Sequence, residues 1–184
     1  CIVRIVDYKQ IWMSVDSARV KNYNLRKRKD EKVFIIKTKK AGKFIFGFTS
    51  SFRMGQLIRY SFDSPEFIDG SDVFKYMVVN FVDYLRNCYD RGGYLKKKDN
   101  VDRGGNFLVG FRGHLFEIEG DFQVGEISQN YNSVGCGSHY ALGSLFTNEN
   151  QNADIKITTA LEAASEFSAG VSPPFVIDRI EIEK

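Results

Sequence analysis

Two β-hairpin patterns in the first part of the chain constrain its fold more than any other feature. The segments CIVRIV and IWMSVD alternate apolar and polar residues around a polar break at positions 7–10, and KVFIIKT and KFIFGF do the same around a Lys-Ala-Gly turn. Alternation with a period of two is typical of strands, and two strands joined by a short turn pair antiparallel. The sequence therefore predicts two antiparallel hairpins separated by a basic, polar loop.

Helical patterns follow each group of strands. Thr49–Ser51 can cap one helix, and Ser71–Cys88 carries apolar side chains at three- and four-residue steps behind the favourable cap residues Ser71 and Asp72. The rest of the chain predicts three short strands (NFLVGF, HLFEIEG, DFQVG), a strand that runs through a glycine turn into a helix (SVGCGSHYALGSLF), a helix over Asp154–Ala169 ended by Gly170, and a last strand (FVIDRIEIE). This order lacks the repeated strand-helix-strand alternation of a Rossmann sheet, so we expect an α+β fold in which helices cover antiparallel sheets.

Length and composition indicate a single folded domain over residues 1–184. The apolar fraction of 43% is far above that of disordered chains, and no apolar run is long enough to span a bilayer. Cys1, Cys88 and Cys136 do not have metal-ligand spacing, and their odd number favours a reducing compartment. We therefore expect a cytoplasmic protein without a zinc site or another cofactor.

The net charge of +3 comes mostly from two basic stretches, Lys21–Lys32 and Lys96–Lys98. Such stretches attract nucleic acids, but they are more often solvated loops, and neither a stacking aromatic motif nor a reading helix accompanies them. Nucleic-acid binding therefore stays a minor alternative.

Four short motifs mark the ends of predicted strands. Asp16 ends the second strand in VDSAR, Lys32 begins the third in KVFII, Gly47 ends the fourth in FGFTSS, and Cys136 lies in the glycine turn GCGSHYALG. Taken singly, each has an ordinary structural interpretation: surface charges at hairpin ends, a strand-end glycine, and a turn before a helix. Together with the cysteine at position 1, they define a candidate site.

This combination resembles the proteasome β-subunit and HslV-like family of N-terminal-nucleophile (Ntn) hydrolases. The order and length of the elements match over nearly the whole chain, and the separations of Cys1, Asp16 and Lys32 along the sequence are close to those of the family. The resemblance implies a four-layer αββα sandwich, in which helix pairs flank two antiparallel sheets. It also implies a peptide or small-amide substrate, self-assembly into a ring, and a possible ATPase partner.

The resemblance also assigns a role to each residue of the main site. Cys1 would be the nucleophile, Asp16 would hold Lys32 in place, and the N–H of Gly47 would face the oxygen of the attacked carbonyl. A free α-amine has a pKa of about 7.7–8.0 and can accept the thiol proton, while a nearby lysine ammonium favours the thiolate. The family nucleophile is typically threonine, whereas cysteine is usual in other Ntn amidases.

The glycine turn is the second departure from the family pattern. Cys136 stands where the family usually has a serine hydroxyl next to the nucleophile, and Ser138 can take its place. Glu166 and Ser168, near the end of the last helix, receive no role. A catalytically inactive proteasome-like ring or scaffold protein therefore stays an alternative to the hydrolase, and a small-amide amidohydrolase is a less favoured one.

Overall fold

The computed structural model describes residues 2–6, 9–21, 24–27, 29–148 and 150–182. The strands are β1 (Ile2–Val6), β2 (Gln10–Asp16), β3 (Ala18–Lys21), β4 (Asn24–Lys27), β5 (Val33–Thr38), β6 (Gly42–Phe48), β7 (Lys96–Lys98), β8 (Val101–Arg103), β9 (Phe107–Phe111), β10 (His114–Ile118), β11 (Val124–Glu126), β12 (Tyr131–Val134) and β13 (Phe175–Glu181). The helices are α1 (Phe52–Ser61), α2 (Val73–Tyr76), α3 (Val82–Arg91), α4 (Ser138–Thr147) and α5 (Ala153–Phe167), and a π-helical turn at Met77–Phe81 joins α2 to α3.

Two antiparallel sheets form the centre of the molecule. The first sheet has the strand order β12-β1-β2-β13, and the second has the order β11-β10-β9-β6-β5. The two predicted hairpins, β1–β2 and β5–β6, are confirmed, and each belongs to a different sheet. Strands β2 and β13 pack across β5 and β6, which places the ends of both hairpins on facing surfaces.

Three layers of apolar side chains hold the sheets and helices together. The layer between the two sheets includes Ile11, Met13, Val15, Ile45 and Leu108, all buried. The second sheet contacts α1 to α3 through a layer dominated by phenylalanine, and the first sheet contacts α4 and α5 through small and branched residues. The predicted sandwich of two antiparallel sheets between helix pairs is therefore confirmed.

Gly110 of β9 lies where the two sheets pack against each other. A Cβ at this position would lie 2.8 Å from Cγ2 of Ile45 and 2.9 Å from Cγ2 of Ile11, one residue from each sheet. These distances are too short for a real Cβ contact, so the packing requires a residue without a side chain. The close packing of Ile11 and Ile45 at this position therefore depends on the glycine.

The helix starts follow the predicted capping residues, but one helix end differs. Ser51 accepts a hydrogen bond from the N–H of Met54, and Asp72 accepts one from the N–H of Lys75. The helix predicted over Asp154–Ala169 ends at Phe167 instead, because Ser168 has an extended backbone conformation. Gly170 therefore does not end it.

Two further hairpins occupy segments that the sequence did not predict as strands. The basic stretch predicted as a loop contains the paired strands β3 and β4. Strands β7 and β8 are joined at Asp99 and Asn100, whose φ angles of 53° and 63° are those of a two-residue hairpin turn. Strands β7 and β8 have no buried side chain and lack an apolar face, so their hydrophobic pattern is too weak to reveal them. Within the described part of the chain, no helix is long and apolar enough to cross a membrane.

Candidate functional site

A buried ion pair joins the ends of the two predicted hairpins. Asp16, the last residue of β2, is completely buried, and Lys32 directly precedes β5 with 11% of its side chain exposed. The Nζ of Lys32 lies 3.3 Å from Oδ1 and 3.2 Å from Oδ2 of Asp16. This contact is the one predicted for the two residues. Because both charges are withdrawn from water, the ammonium group has a fixed place.

The residue after Asp16 ties this end of β2 to the segment before β13. The N–H of Ser17 donates to the carbonyl of Ser172 at 3.3 Å, and its hydroxyl donates to the carbonyl of Pro174 at 2.6 Å. Asp16 itself pairs with Phe175 in the sheet register. Ser17 was not predicted as a site residue, and the DSAR motif was the only signal available for it.

Gly47 lies on the strand next to Lys32. It is buried in β6 opposite Val33, and the N–H of the following residue, Phe48, donates to the carbonyl of Lys32 at 3.0 Å. The N–H of Thr49 donates to Asn106 on the opposite side, at 3.4 Å. Since successive N–H groups of a strand alternate in direction, that of Gly47 is on the β9 side. To act as the predicted oxyanion donor, the Gly47 N–H must therefore either be shared between the sheet and the oxyanion or be released from the sheet.

The glycine turn lies on the other side of β1 from Asp16. Ile2 pairs with Val15 of β2 and with Val134 of β12, so the first described residue of β1 sits between the two motifs. Beyond Val134, Gly135 has a φ of 104°, a conformation that favours glycine, and its carbonyl accepts a hydrogen bond from the N–H of Ser138 at 3.0 Å. The predicted strand, turn and helix are thus confirmed.

Cys136 is exposed in this turn and packs against the loop after α5. A Cβ at Gly170 would collide with Sγ of Cys136, and the same position is 3.9 Å from the hydroxyl of Ser168. The thiol therefore has the backbone of Gly170 directly behind it. Ser138 is the half-buried first residue of α4.

Cys1 lies outside the described residues, and its role stays a prediction. The described residues bring Asp16 and Lys32 into contact and place Gly47 on the adjacent strand. They place the Cys136 turn next to the same end of β1. The Lys32 ammonium group and the Cys136 thiol thus lie on two sides of the N-terminal end of β1.

A small cavity opens beside the ion pair. Its volume is about 170 Å³, and it is lined by Val15, Asp16, Ser17, Lys29, Asp30, Glu31, Lys32, Pro174 and Val176. The lining combines apolar residues of β2 and β13 and Pro174 with charged residues from the segment before β5. A space of this size accepts several water molecules or a group about as large as a benzene ring.

The surroundings of Cys88 and His114 indicate structural roles for both residues. Cys88 is buried in the helix layer, its thiol donates to the carbonyl of Leu57, and burial raises the pKa of this thiol. His114 contacts Glu126 on the surface, with 2.6 Å between Nδ1 and Oε1. Among the described residues, no group of three or more His, Cys, Asp or Glu side chains is arranged to hold a metal ion.

No family model and no curated protein matches this chain. Several solved structures share its fold. Thiobacillus denitrificans BPH, whose structure is also known in complex with epoxomicin, superposes with a TM-score of 0.74 at 18% identity, and the match covers 100% of this chain and 99% of BPH. HslV from Trypanosoma brucei gives a TM-score of 0.66 at 12% identity, with 98% of each chain covered. Anbu, the ancestral beta-subunit, from Yersinia bercovieri gives 0.68 at 12% identity, covering 98% of this chain and 86% of Anbu. The chain therefore has the proteasome-like fold of HslV and Anbu.

Proposed function

We propose that this protein is an Ntn hydrolase that cleaves amide bonds, with Cys1 as the nucleophile and its own α-amine as the general base. The observation that carries the proposal is the buried Asp16–Lys32 pair, which lies beside the start of β1. A buried ion pair costs desolvation free energy and is weak evidence for stability alone. A chemical role for the ammonium group accounts for its position.

The sheet register supports this assignment. Cys1 is one peptide bond from Ile2, and Ile2 pairs with Val15, the residue before Asp16. A cation close to a thiol favours the thiolate, which is the nucleophilic form. Because the base and the nucleophile are on one residue, the rest of the protein needs to supply only a positive charge near the thiol and the hydrogen-bond donors to the oxyanion. The form of the protein that acts would be the one in which residue 1 carries a free amine.

Attack of the thiolate on the substrate carbonyl forms a tetrahedral oxyanion, and the α-ammonium group returns its proton to the leaving amine. The resulting thioester is then hydrolysed by water, which the same amine deprotonates. Gly47 is the predicted donor to the oxyanion, a role in which its N–H must be shared with β9 or released from it, and one such donor is worth about 3 kcal/mol. The cavity beside Lys32 has room for a substrate side chain up to about the size of a benzene ring.

Intact-protein mass spectrometry after treatment with an electrophile tests the proposal. Epoxomicin, the compound in the BPH complex, is a suitable first reagent. We expect one adduct on Cys1 in the unmodified chain, no adduct in Cys1→Ala, and an unchanged adduct in Cys88→Ala, because Cys88 is buried away from the site. An aldehyde that condenses with a 1,2-aminothiol provides the control for a free N-terminal cysteine.

The two reagents together separate the possible outcomes. Reaction with the aldehyde but with no amide-directed electrophile would contradict the hydrolase and favour the inactive scaffold protein. Adducts that persist in Cys1→Ala would exclude Cys1 as the nucleophile. A comparison of the turnover rates of short peptide amides and of small amides would then distinguish a peptidase from an amidohydrolase.

Self-association forms part of the same proposal. A solved neighbour, Anbu from Pseudomonas aeruginosa, is described as a helical assembly and superposes with a TM-score of 0.68 at 13% identity over 98% of this chain. We expect native mass spectrometry to show a homo-oligomer of this chain, and a monomer at micromolar concentration would contradict it. The closed ring and the ATPase partner stay predictions from the resemblance.

A further inference from the structure

We propose that β13 is the surface through which this chain pairs with a second copy of itself, by an antiparallel strand pair centred on Ile177. The inference rests on the self-association proposed above and names the strand that carries it, but it does not depend on the hydrolase chemistry. In such a pair, the sheet β12-β1-β2-β13 would continue into the same sheet of the second copy.

β13 is the longest edge strand of the two central sheets. It has seven residues, against six in β5, four in β12 and three in β11. All seven pair with β2 in one continuous register, so no bulge bends the strand. Its arginine, Arg179, lies over the ring of Trp12 on β2, with 4.7 Å between Cζ and the ring centroid. Proline, lysine and bulges often protect an edge from pairing, and β13 has none of the three.

The hydrogen bonding of β13 to β2 fixes which of its backbone groups point outward. The N–H of Ile182 donates to the carbonyl of Lys9 at 2.8 Å, which continues the register of the two strands. Because the groups of successive residues alternate in direction, the even-numbered residues of β13 bond to β2. The groups that point away from β2 therefore belong to Phe175, Ile177, Arg179 and Glu181. No other described strand pairs with this edge, and the spacing of these groups matches an extended strand.

The charges of β13 select the register of the pair. A twofold pair of identical strands places one residue opposite its own copy. Because β13 covers residues 175–181, five or more residues of each strand overlap only when this central residue is Ile177, Asp178 or Arg179. With Asp178 or Arg179 at the centre, like charges would face each other directly, which destabilises a strand pair.

A pair centred on Ile177 avoids this repulsion. Ile177 is 39% exposed, and in the pair it would contact Ile177 of the second copy. Arg179 would lie opposite Phe175 of the second copy, and a guanidinium group is attracted to an aromatic ring. The outward groups would exchange about six backbone hydrogen bonds. A single strand pair is a small interface, so we expect reversible association that increases with protein concentration.

Cysteine cross-linking of the full chain tests the register. Ile177→Cys, Asp178→Cys and Val101→Cys are oxidised side by side with diamide, and peptide mapping counts only links between two copies of the introduced cysteine. In the proposed pair, the Cα atoms of position 177 lie about 5.5 Å apart, within the range of a disulfide, whereas those of position 178 are displaced by about 7 Å along the strands. We therefore expect the linked fraction of Ile177→Cys to exceed that of the other two variants about tenfold. Val101, 44% exposed on β8, reports random collisions.

A charge at the same position gives the second measurement. Ile177→Lys would place two ammonium groups opposite each other in the paired state only, and Val101→Lys adds the same charge at a similarly exposed site. We expect native mass spectrometry to show dissociation at a protein concentration about tenfold higher for Ile177→Lys and unchanged for Val101→Lys. Circular dichroism spectra check that both variants fold, and the cross-linking result decides the matter if the lysine variant does not.

Three results would overturn the inference. The first is an oligomer that does not respond to Ile177→Lys, and the second is linking at position 178 or 101 equal to that at position 177. The third is a chain that stays monomeric, which would leave the edge of β13 to a strand of another protein.

The failure of this inference differs from that of the proposed function. A link at position 177 in a chain that gives no epoxomicin adduct would support the strand pair and contradict the hydrolase. An adduct on Cys1 in a chain whose oligomer does not respond to Ile177→Lys would do the reverse.

Discussion

Replacing Asp16 with asparagine is expected to lower the free energy of unfolding by about 3–5 kcal/mol, because it leaves the largely buried Lys32 ammonium without its partner. The substitution keeps the shape of the side chain, removes its charge and replaces one acceptor oxygen with an NH2 donor. We also expect the rate of Cys1 alkylation to fall by about tenfold, because a displaced ammonium group no longer favours the reactive thiolate. Urea unfolding and time-resolved mass spectrometry measure the two effects.

Two variants serve as controls for this result. Asp63→Asn breaks the exposed ion pair with Lys40, whose atoms are 2.8 Å apart, and should leave both measurements almost unchanged. The double variant Asp16→Asn with Lys32→Met removes both charges and should recover much of the stability without recovering the alkylation rate. If Asp16→Asn behaved like Asp63→Asn, the pair would have neither the structural nor the chemical role assigned to it.

The β-strand pattern of this chain revealed the elements that bury an apolar face. β5 and β6 alternate around a glycine turn, and both their existence and their pairing could be predicted from that pattern. The hairpin β7–β8 has exposed lysines and no such face, and its signal is the turn residues Asp99 and Asn100. Turn-forming residues are common in polar loops as well as in hairpins, so composition alone did not distinguish a hairpin from a loop here.

The candidate site could be predicted only in part, for a related reason. The contact between Asp16 and Lys32 follows from their places at the ends of two hairpins, once the sheets are stacked. The N–H groups of β6 point alternately to its two neighbouring strands, so a one-residue shift of register would reverse the direction of the Gly47 N–H. The contacts of Ser17 with Ser172 and Pro174 join residues far apart in sequence. No local pattern encodes either feature.

Replacing Phe44 with alanine is expected to lower the free energy of unfolding by about 3–5 kcal/mol, the range for removing a buried aromatic ring from a tightly packed core. Phe44 is completely buried in β6, and its ring stacks on Phe111 with 4.2 Å between centroids. It also lies 5.9 Å from Phe46 and from Phe81, which links the second sheet to the helices.

Phe146→Ala is the matched control, because this ring is 68% exposed on α4 and its loss should change stability by no more than about 0.5 kcal/mol in a monomer. Unfolding is followed at several protein concentrations, since self-association adds a concentration-dependent term. Phe44→Leu should lose less than Phe44→Ala because it leaves a smaller cavity. An alanine variant as stable as the control would mean that the phenylalanine layer does not hold this strand in place.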